Sequence, residues 1–139
     1  MPILHVEDHE STRDVVRRAL RAYGIAVLSV DGVSAAKRAI ADRTDVTGAL
    51  VDLRLADGSG LELYEWLTAH RPELAARLAF VSGGGTELAQ RVAAIGRPVL
   101  AKPFELAEVV RLAVRWEGRD DRLHDTGWGR ASGANERES

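Results

Sequence analysis

Charged and hydroxyl side chains follow four short apolar runs of the chain, each at the point where the run ends. They are, in chain order, Glu7 and Asp8, Asp52, Ser82, and Lys102. If the runs are parallel strands, their carboxyl ends meet at one edge of a sheet, which is where open α/β sheets bind ligands. The five side chains are therefore expected to share one pocket.

The residue types in this pocket favour phosphoryl transfer. Three carboxylates within about 4–6 Å of one another repel by a few kcal/mol per pair at an effective dielectric of about 20, so the pocket needs a cation. Carboxylate oxygens suit Mg²⁺, and Lys102 adds a second positive charge. The Ser82 hydroxyl and the glycine backbone after it offer donors to oxyanions. Asp52 is predicted to receive a phosphoryl group while Mg²⁺ and lysine stabilise the developing charge.

Five alternations of apolar run and amphipathic segment position these residues. Strands are predicted at residues 3–6, 25–30, 48–52, 78–82 and 98–101, and each is followed by a helix of 3.6-residue periodicity. Ser11 or Thr12 is expected to cap the first helix and Ser34 the second. Units of this length favour an α/β fold with an open, doubly wound, five-stranded parallel sheet. Five units are too few for an eight-stranded barrel.

Composition narrows the class of protein. The 139 residues suffice for one domain with a core, expected over residues 1–116, and residues 117–139 are polar enough to predict a flexible tail. A net charge of −2 disfavours a nucleic-acid or membrane surface, and the absence of cysteine excludes disulfides and thiolate chemistry. No leader, membrane span or basic segment after the last helix is visible. We expect a soluble cytoplasmic protein without direct DNA binding, membrane insertion or an output domain.

Four motifs carry a resemblance to a known family. They are Val6-Glu7-Asp8-His9, Val51-Asp52-Leu53 with Asp57-Gly58, Ser82-Gly83, and Lys102-Pro103-Phe104. Together they resemble the receiver domain of two-component response regulators, over roughly residues 1–116. The resemblance implies the flavodoxin-like (βα)5 fold with strand order 2-1-3-4-5, an order for which a receiver is a known example.

The resemblance also implies an acceptor and a metal site. Asp52 would take a phosphoryl group from a phosphohistidine of a sensor histidine kinase or phosphotransfer domain and signal to an unidentified downstream protein. Asp8, Asp52 and the backbone carbonyl of Arg54 would hold Mg²⁺, and Glu7 would act through water. Such a protein is not an enzyme acting on a separate substrate, although it would catalyse its own phosphorylation and dephosphorylation.

Switching residues follow from the same resemblance. Ser82 would turn toward the phosphoryl oxygens, Lys102 would pair with them, and the Lys102–Pro103 peptide would be cis. Gly83 and Gly84 belong to the loop that would follow Ser82 inward.

One position departs from the family's usual pattern, and two others are of a kind that varies within the family. Val99 stands three residues before the lysine, where the family usually has an aromatic, so signalling would use backbone or packing shifts. Arg54 and Gly84 occupy the two positions that, in the family, tend to tune how long the phosphoryl group survives, and the resemblance implies the same role here.

Other functions and residue roles stay open. A pseudo-receiver that only binds proteins is one alternative, and an Mg²⁺-dependent aspartyl phosphohydrolase is another, although Arg54 cannot serve as the acid that such an enzyme needs two residues after its nucleophile. A flavin site on the glycines after Ser82 is the least favoured. Four aromatic or imidazole side chains are expected to have no role in the chemistry: His5 as a packed residue, His9 as a solvated helix start, Trp66 as a surface or edge residue, and Trp128 as a stray residue of the tail. The less favoured alternatives are a metal or phosphorelay role for His5, contact with the site for His9, and a partner anchor for Trp128. Three residues of the first helix could help to dock a kinase: Ser11, Thr12 and Val15.

Overall fold

A computed structural model of the chain describes residues 1–83 and 87–118. The strands of this described part are β1 (Ile3–Val6), β2 (Val27–Val30), β3 (Ala49–Asp52), β4 (Arg54–Leu55), β5 (Gly58–Ser59), β6 (Leu78–Ser82) and β7 (Val99–Ala101). The helices are α1 (Glu10–Arg21), α2 (Val33–Ala41), α3 (Gly60–His70), α4 (Pro72–Ala75), α5 (Glu87–Ala93) and α6 (Leu106–Trp116). The predicted alternation of strands and helices is confirmed.

Five of the strands form one parallel sheet in the order β2-β1-β3-β6-β7. Since β6 and β7 are the fourth and fifth strands of this sheet along the chain, the predicted order 2-1-3-4-5 is confirmed. The central strand β3 pairs with β1 on one side and β6 on the other. All four of its residues are buried, as a continuous apolar run in a parallel sheet predicts.

Helices cover both faces of the sheet, because alternate strand residues enter two separate cores. Leu4 and Val6 belong to one apolar cluster, which also contains residues of α2, α3 and α5. Ile3 belongs to the other, together with residues of α1 and α6. This is the predicted doubly wound arrangement, and it leaves the carboxyl ends of the strands open for a site.

The predicted helix caps were wrong at α1 and α2. Helix α1 begins at Glu10 with His9 as its N-cap, so Ser11 and Thr12 lie inside the helix. At α2 the N-cap is Gly32, and the capping side chain is Asp57, which is distant in sequence. A local sequence pattern favours the nearest hydroxyl residue as the cap. At α2, the Asp57 carboxylate from another part of the chain instead accepts hydrogen bonds from the free backbone amides.

Two small elements were not predicted from the sequence. Strands β4 and β5, each of two residues, form an antiparallel hairpin that begins two residues after Asp52. The short helix α4 follows α3, with Pro72 at its start. Helix α3 has the predicted bounds, and its start carries a capping box between Ser59 and Glu62. The strand β2 begins at Val27, two residues later than expected.

Three further expectations concern membrane spans, the end of the domain and the C-terminal tail. None of the helices formed by residues 1–83 and 87–118 combines the length and apolar character that crossing a bilayer demands. Helix α6 ends at Trp116, where the domain was predicted to end. Most of the predicted tail, including Trp128, lies outside the described residues, as do Gly84, Gly85 and Thr86.

Candidate functional site

Asp52 lies at the carboxyl end of β3 and is held from two sides. Its side chain is buried, and its Oδ2 lies 2.7 Å from the Nζ of Lys102. Its Oδ1 accepts a hydrogen bond of 3.3 Å from the backbone N–H of Arg54. This carboxylate lies at the edge of the sheet where ligands of such folds bind, and the ammonium and the amide fix its orientation.

Glu7 is the second buried carboxylate, at the end of β1, with 1% of its side chain exposed. Its Oε1 lies 3.3 Å from Lys102 Nζ, so one ammonium bridges Glu7 and Asp52. Its Oε2 accepts a hydrogen bond of 3.1 Å from the His9 backbone N–H and lies 2.8 Å from His9 Nδ1. The carbonyl oxygen of Glu7 accepts a hydrogen bond of 2.7 Å from Arg13. Each polar atom of Glu7 described here thus has a partner, which offsets its burial.

The protonation equilibria of these groups differ because their partners differ. Burial raises the pKa of Asp52, with a further rise from the Glu7 charge, and the hydrogen bond from Lys102 offsets only part of this. Burial also acts to raise the pKa of Glu7, but hydrogen bonds from His9 and Lys102 leave it below its usual value. Burial acts to lower the pKa of Lys102, yet Asp52 and Glu7 keep it above its usual value. The ammonium is therefore retained as the pocket's own cation.

Asp8 and His9 extend the acidic pocket toward solvent. The side chain of Asp8 is 30% exposed, and its Oδ1 lies 3.2 Å from His9 Nδ1. Among the described residues, Glu7, Asp8 and His9 form a cluster in which one ligand atom from each lies within 4.8 Å of the others. His9 was expected to be a solvated helix start, with contact to the site as the less favoured alternative; it is exposed at the start of α1 and also contacts both carboxylates. The only sequence signal for this contact was its position directly after the acidic pair.

The donor set fits Mg²⁺, which prefers carboxylate and carbonyl oxygens and keeps several waters. Asp8 has the exposure that a hydrated ion requires, while Glu7 and Asp52 are oriented by Lys102. Direct ligation by Asp8, Asp52 and the Arg54 carbonyl stays a prediction. The contact between Arg54 and Asp52 is made by the backbone amide of Arg54, not by its carbonyl.

Ser82 and Lys102 are joined through their backbones. Ser82 ends β6, is buried, and lies opposite Ala101 of β7. The Lys102 backbone N–H donates a hydrogen bond of 2.8 Å to the Ser82 carbonyl. The Lys102–Pro103 peptide is cis, as expected. This arrangement brings the predicted switch residue and the lysine to the same edge as Asp52.

Residues with predicted modulating roles are distributed around this edge. Gly83 follows Ser82 and is exposed, and Val99 is 39% exposed at the start of β7. Arg54 directs an exposed side chain from β4. Their effects on switching and on phosphoryl lifetime stay predictions.

One glycine near the site was overlooked in the sequence. A Cβ added at Gly60 would lie 2.5 Å from the Asp52 carbonyl oxygen and 2.9 Å from Val51 Cγ1. The start of α3 therefore approaches the backbone at the end of β3 more closely than any side chain permits. The signal available in the sequence was a glycine at the first position of a well-formed helix.

Comparisons with known proteins agree with this geometry. Residues 3–113 match the family described as the response regulator receiver domain. The photosynthetic apparatus regulatory protein RegA of Rhodobacter capsulatus is 34% identical over 110 residues, which are 77% of this chain and 58% of RegA. The chain thus spans less than two thirds of the length of this relative.

Solved receiver structures have the same fold. A response regulator receiver protein from Pseudomonas putida aligns with a TM-score of 0.73 and 27% identity, over 82% of this chain and 96% of the other. The receiver domain of NtrX from Brucella abortus aligns with a TM-score of 0.69 and 28% identity, over 86% and 98% respectively. The chain belongs to the family of response regulator receiver domains.

Proposed function

We propose that Asp52 accepts a phosphoryl group from the phosphohistidine of a sensor histidine kinase or a phosphotransfer domain, in an Mg²⁺-dependent reaction in the cytoplasm. The observation that carries the proposal is the bridging ammonium of Lys102, at 2.7 Å from Asp52 and 3.3 Å from Glu7. A lysine in this position neutralises a carboxylate before the reaction and is within reach of phosphoryl oxygens after it. Membership of the receiver family supports the same donor.

The proposed step forms an acyl phosphate. A carboxylate oxygen of Asp52 attacks phosphorus, and the new O–P bond forms as the P–N bond of the donor breaks. The donor imidazole keeps the bonding electron pair and takes a proton from solvent. When bound, Mg²⁺ supplies positive charge to the phosphoryl oxygens.

The chain's own residues orient the groups in this step. The Arg54 amide holds Asp52 Oδ1, the Lys102 ammonium neutralises negative charge, and the Ser82 hydroxyl is proposed to donate to a phosphoryl oxygen.

The site supports an acceptor rather than a turnover phosphohydrolase. An aspartyl phosphohydrolase needs an acid to protonate its leaving group, expected two residues after the nucleophile. That position is Arg54, which has no carboxyl group for this role and which is exposed on β4. We propose that the protein catalyses only the gain and loss of its own phosphoryl group.

Labelling with radioactive acetyl phosphate tests the proposal. With Mg²⁺ present, we expect base-labile label on the wild-type chain and on Asp31→Asn, a matched control at an exposed aspartate, and none on Asp52→Asn. Label retained in Asp52→Asn would place the acceptor elsewhere. A folded wild-type chain that takes no label would favour the alternative, a pseudo-receiver that acts only as a protein-binding module.

The partner surface is proposed to include the start of α1. Val15 is 48% exposed there, and Ser11 is exposed beside it, so both are free to contact a kinase or phosphotransfer domain. Val15→Ala is expected to slow phosphotransfer from a cognate kinase while labelling by acetyl phosphate is unchanged. An unchanged phosphotransfer rate would exclude this surface.

A further inference from the structure

The side chain of Arg13 reaches from the first turn of α1 to the end of β1. Its Nη1 donates a hydrogen bond of 2.7 Å to the carbonyl oxygen of Glu7. Arg13 is half-buried, and its backbone N–H donates a hydrogen bond of 3.1 Å to the His9 carbonyl, which fixes its place in the helix. Arg17, one turn further along, instead pairs with the carboxylate of Asp14. Arg13 is thus distinguished by the backbone group that it holds.

At the Glu7 carbonyl, Arg13 takes the place of a strand amide. The backbone N–H of Glu7 donates a hydrogen bond of 3.1 Å to Val30, which is the last residue of β2. The Glu7 carbonyl therefore lies beyond the end of that neighbouring strand, and Glu7 is buried. A buried carbonyl without a partner is costly, and the guanidinium supplies a charge-assisted hydrogen bond to it.

This carbonyl belongs to the peptide that joins a tightly held carboxylate to a less constrained one. The Glu7 side chain is held by Lys102 on one oxygen and by His9 on the other. The Asp8 carboxylate contacts His9, whose ring is 69% exposed. The orientation of Asp8 therefore depends strongly on its backbone, and Arg13 holds the peptide directly before it.

We propose that Arg13 is a positioning residue of the divalent-ion site, which directs the Asp8 carboxylate toward the ion by fixing the Glu7–Asp8 peptide. This deepens the proposed function and rests on it, because the ion is the one that assists phosphoryl transfer. The hydrogen bonds that orient Asp52 come from Lys102 and a backbone amide rather than from Arg13. Loss of Arg13 should therefore weaken ion binding and leave the reaction of the ion-loaded site unchanged.

The charge of Arg13 and its positioning contact predict opposite effects on ion affinity. Removing a positive charge beside an acidic pocket reduces the repulsion of a divalent cation, so a purely electrostatic role predicts tighter binding when Arg13 is lost. Removing a positioning contact predicts weaker binding, because the Asp8 carboxylate must then be ordered as the ion binds. The sign of the change in Mg²⁺ affinity separates the two roles.

Isothermal titration of the full chain with Mg²⁺ measures this sign. Arg13→Met keeps an apolar stem on the helix, and we expect it to raise the Kd for Mg²⁺ by about tenfold, the size of effect typical of groups that orient metal ligands. Arg17→Met is the matched control, since it removes a charge of the same helix that pairs with Asp14, and it should change the Kd by no more than about twofold. In labelling by acetyl phosphate, Arg13→Met should need about tenfold more Mg²⁺ for the half-maximal rate and reach the wild-type rate at saturating Mg²⁺.

An equal or tighter Kd for Mg²⁺ in Arg13→Met would overturn the proposal. Equal weakening in Arg17→Met would also overturn it, because the effect would then belong to the helix as a whole, and so would a lower labelling rate at saturating Mg²⁺. If Arg13→Met does not fold, Arg13→Gln, which lacks the charge and has a shorter reach, is judged by the same outcomes. A wild-type chain that binds Mg²⁺ but takes no label would refute the proposed acceptor function alone, since the Mg²⁺ affinities are measured without phosphorylation.

Discussion

His5 is a buried imidazole in the middle of the sheet, with 1% of its surface exposed. It lies opposite Ser29 of the neighbouring strand, and parallel partners direct their side chains to the same face. Among the described residues, neither His5 Nδ1 nor Ser29 Oγ has a hydrogen-bond partner. Buried polar atoms without partners reduce stability, so this pair lowers the free energy of unfolding.

The burial of His5 predicts loss of stability in mild acid. Burial lowers the pKa of His5 to about 4, Glu7 acts to raise it, and Arg13 and Lys102 act to lower it. Between pH 6.5 and 4 the unfolded chain binds a proton that the folded chain does not, so stability falls as pH falls through this window. The loss attributable to His5 is about 3 kcal/mol at most. Urea unfolding with EDTA at several pH values measures it.

Matched variants isolate this contribution. His5→Leu should flatten the pH dependence between pH 6.5 and 4, whereas Ser29→Ala should retain it and be neutral or slightly more stable at pH 7.5. An equally steep decline in His5→Leu would assign the acid sensitivity to other groups.

When no divalent ion is present, substitutions at Lys102 and Asp52 should differ in their effect on the free energy of unfolding. Because burial raises the pKa of Asp52, Asp52→Asn should be neutral or stabilising at pH 7. Lys102→Ala leaves two buried carboxylates without their shared ammonium, and we expect it to cost about 2 kcal/mol, less than a fully buried pair because Lys102 is partly exposed. The double variant should recover part of this loss. Urea unfolding of the three variants measures their free energies of unfolding, and Lys102→Ala should be the least stable. A Lys102→Ala variant more stable than Asp52→Asn would contradict the prediction.

At the scale of secondary-structure elements, Asp57 joins the hairpin after Asp52 to the start of α2. Its Oδ1 accepts a hydrogen bond of 2.8 Å from the Val33 N–H and its Oδ2 one of 3.0 Å from the Ser34 N–H. A Cβ on Gly32 would lie 2.6 Å from Asp57 Oδ1, so glycine makes room for the carboxylate. These backbone hydrogen bonds hold the pKa of Asp57 below its usual value.

Removing this cap should weaken α2 without unfolding the sheet. We expect Asp57→Ala to lower the free energy of unfolding by about 1 kcal/mol, as loss of an N-cap does. Asp31→Ala removes a carboxylate near the same helix end without these hydrogen bonds and should cost less. Gly32→Ala should destabilise the wild type more than it destabilises Asp57→Ala, because the clash disappears with the carboxylate. Additive effects in chemical denaturation would show that the two residues do not interact.

At the scale of the whole molecule, the site joins chain segments that are far apart in sequence. The ends of β1, β3 and β6, and the residue after β7, all meet at one sheet edge. A divalent ion bound there stabilises only the folded arrangement of these segments, since the unfolded chain does not bring its ligands together.

Mg²⁺ should therefore raise the melting temperature. At a hundredfold excess over Kd the expected stabilisation is about 2.7 kcal/mol, and Asp8→Asn should reduce it. Asp42→Asn, at an exposed position at the end of α2, is the control and should respond to Mg²⁺ as the wild type does. Equal melting-temperature gains in Asp8→Asn and wild type, measured by calorimetry, would mean that Asp8 is not a ligand residue.

The spacing of apolar residues and the positions of turn residues are sufficient to predict the doubly wound sheet and the proximity of Asp52, Glu7 and Lys102. An apolar run bounded by turn residues repeats its signal over many positions, and parallel connections leave few possible topologies. The carboxyl ends of the strands then converge whatever the exact bounds of the helices. For this reason the two-residue error at the start of β2 left the predicted site unchanged.

Contacts made by one side chain could not be foreseen in this way. The Asp57 cap and the facing pair of His5 and Ser29 each depend on how closely two segments approach and which rotamer each side chain adopts. A carboxylate 24 residues away replaced the local hydroxyl that sequence rules favour for α2. Local preferences differ by only about 1 kcal/mol, so packing between distant segments selects among them once the fold has formed.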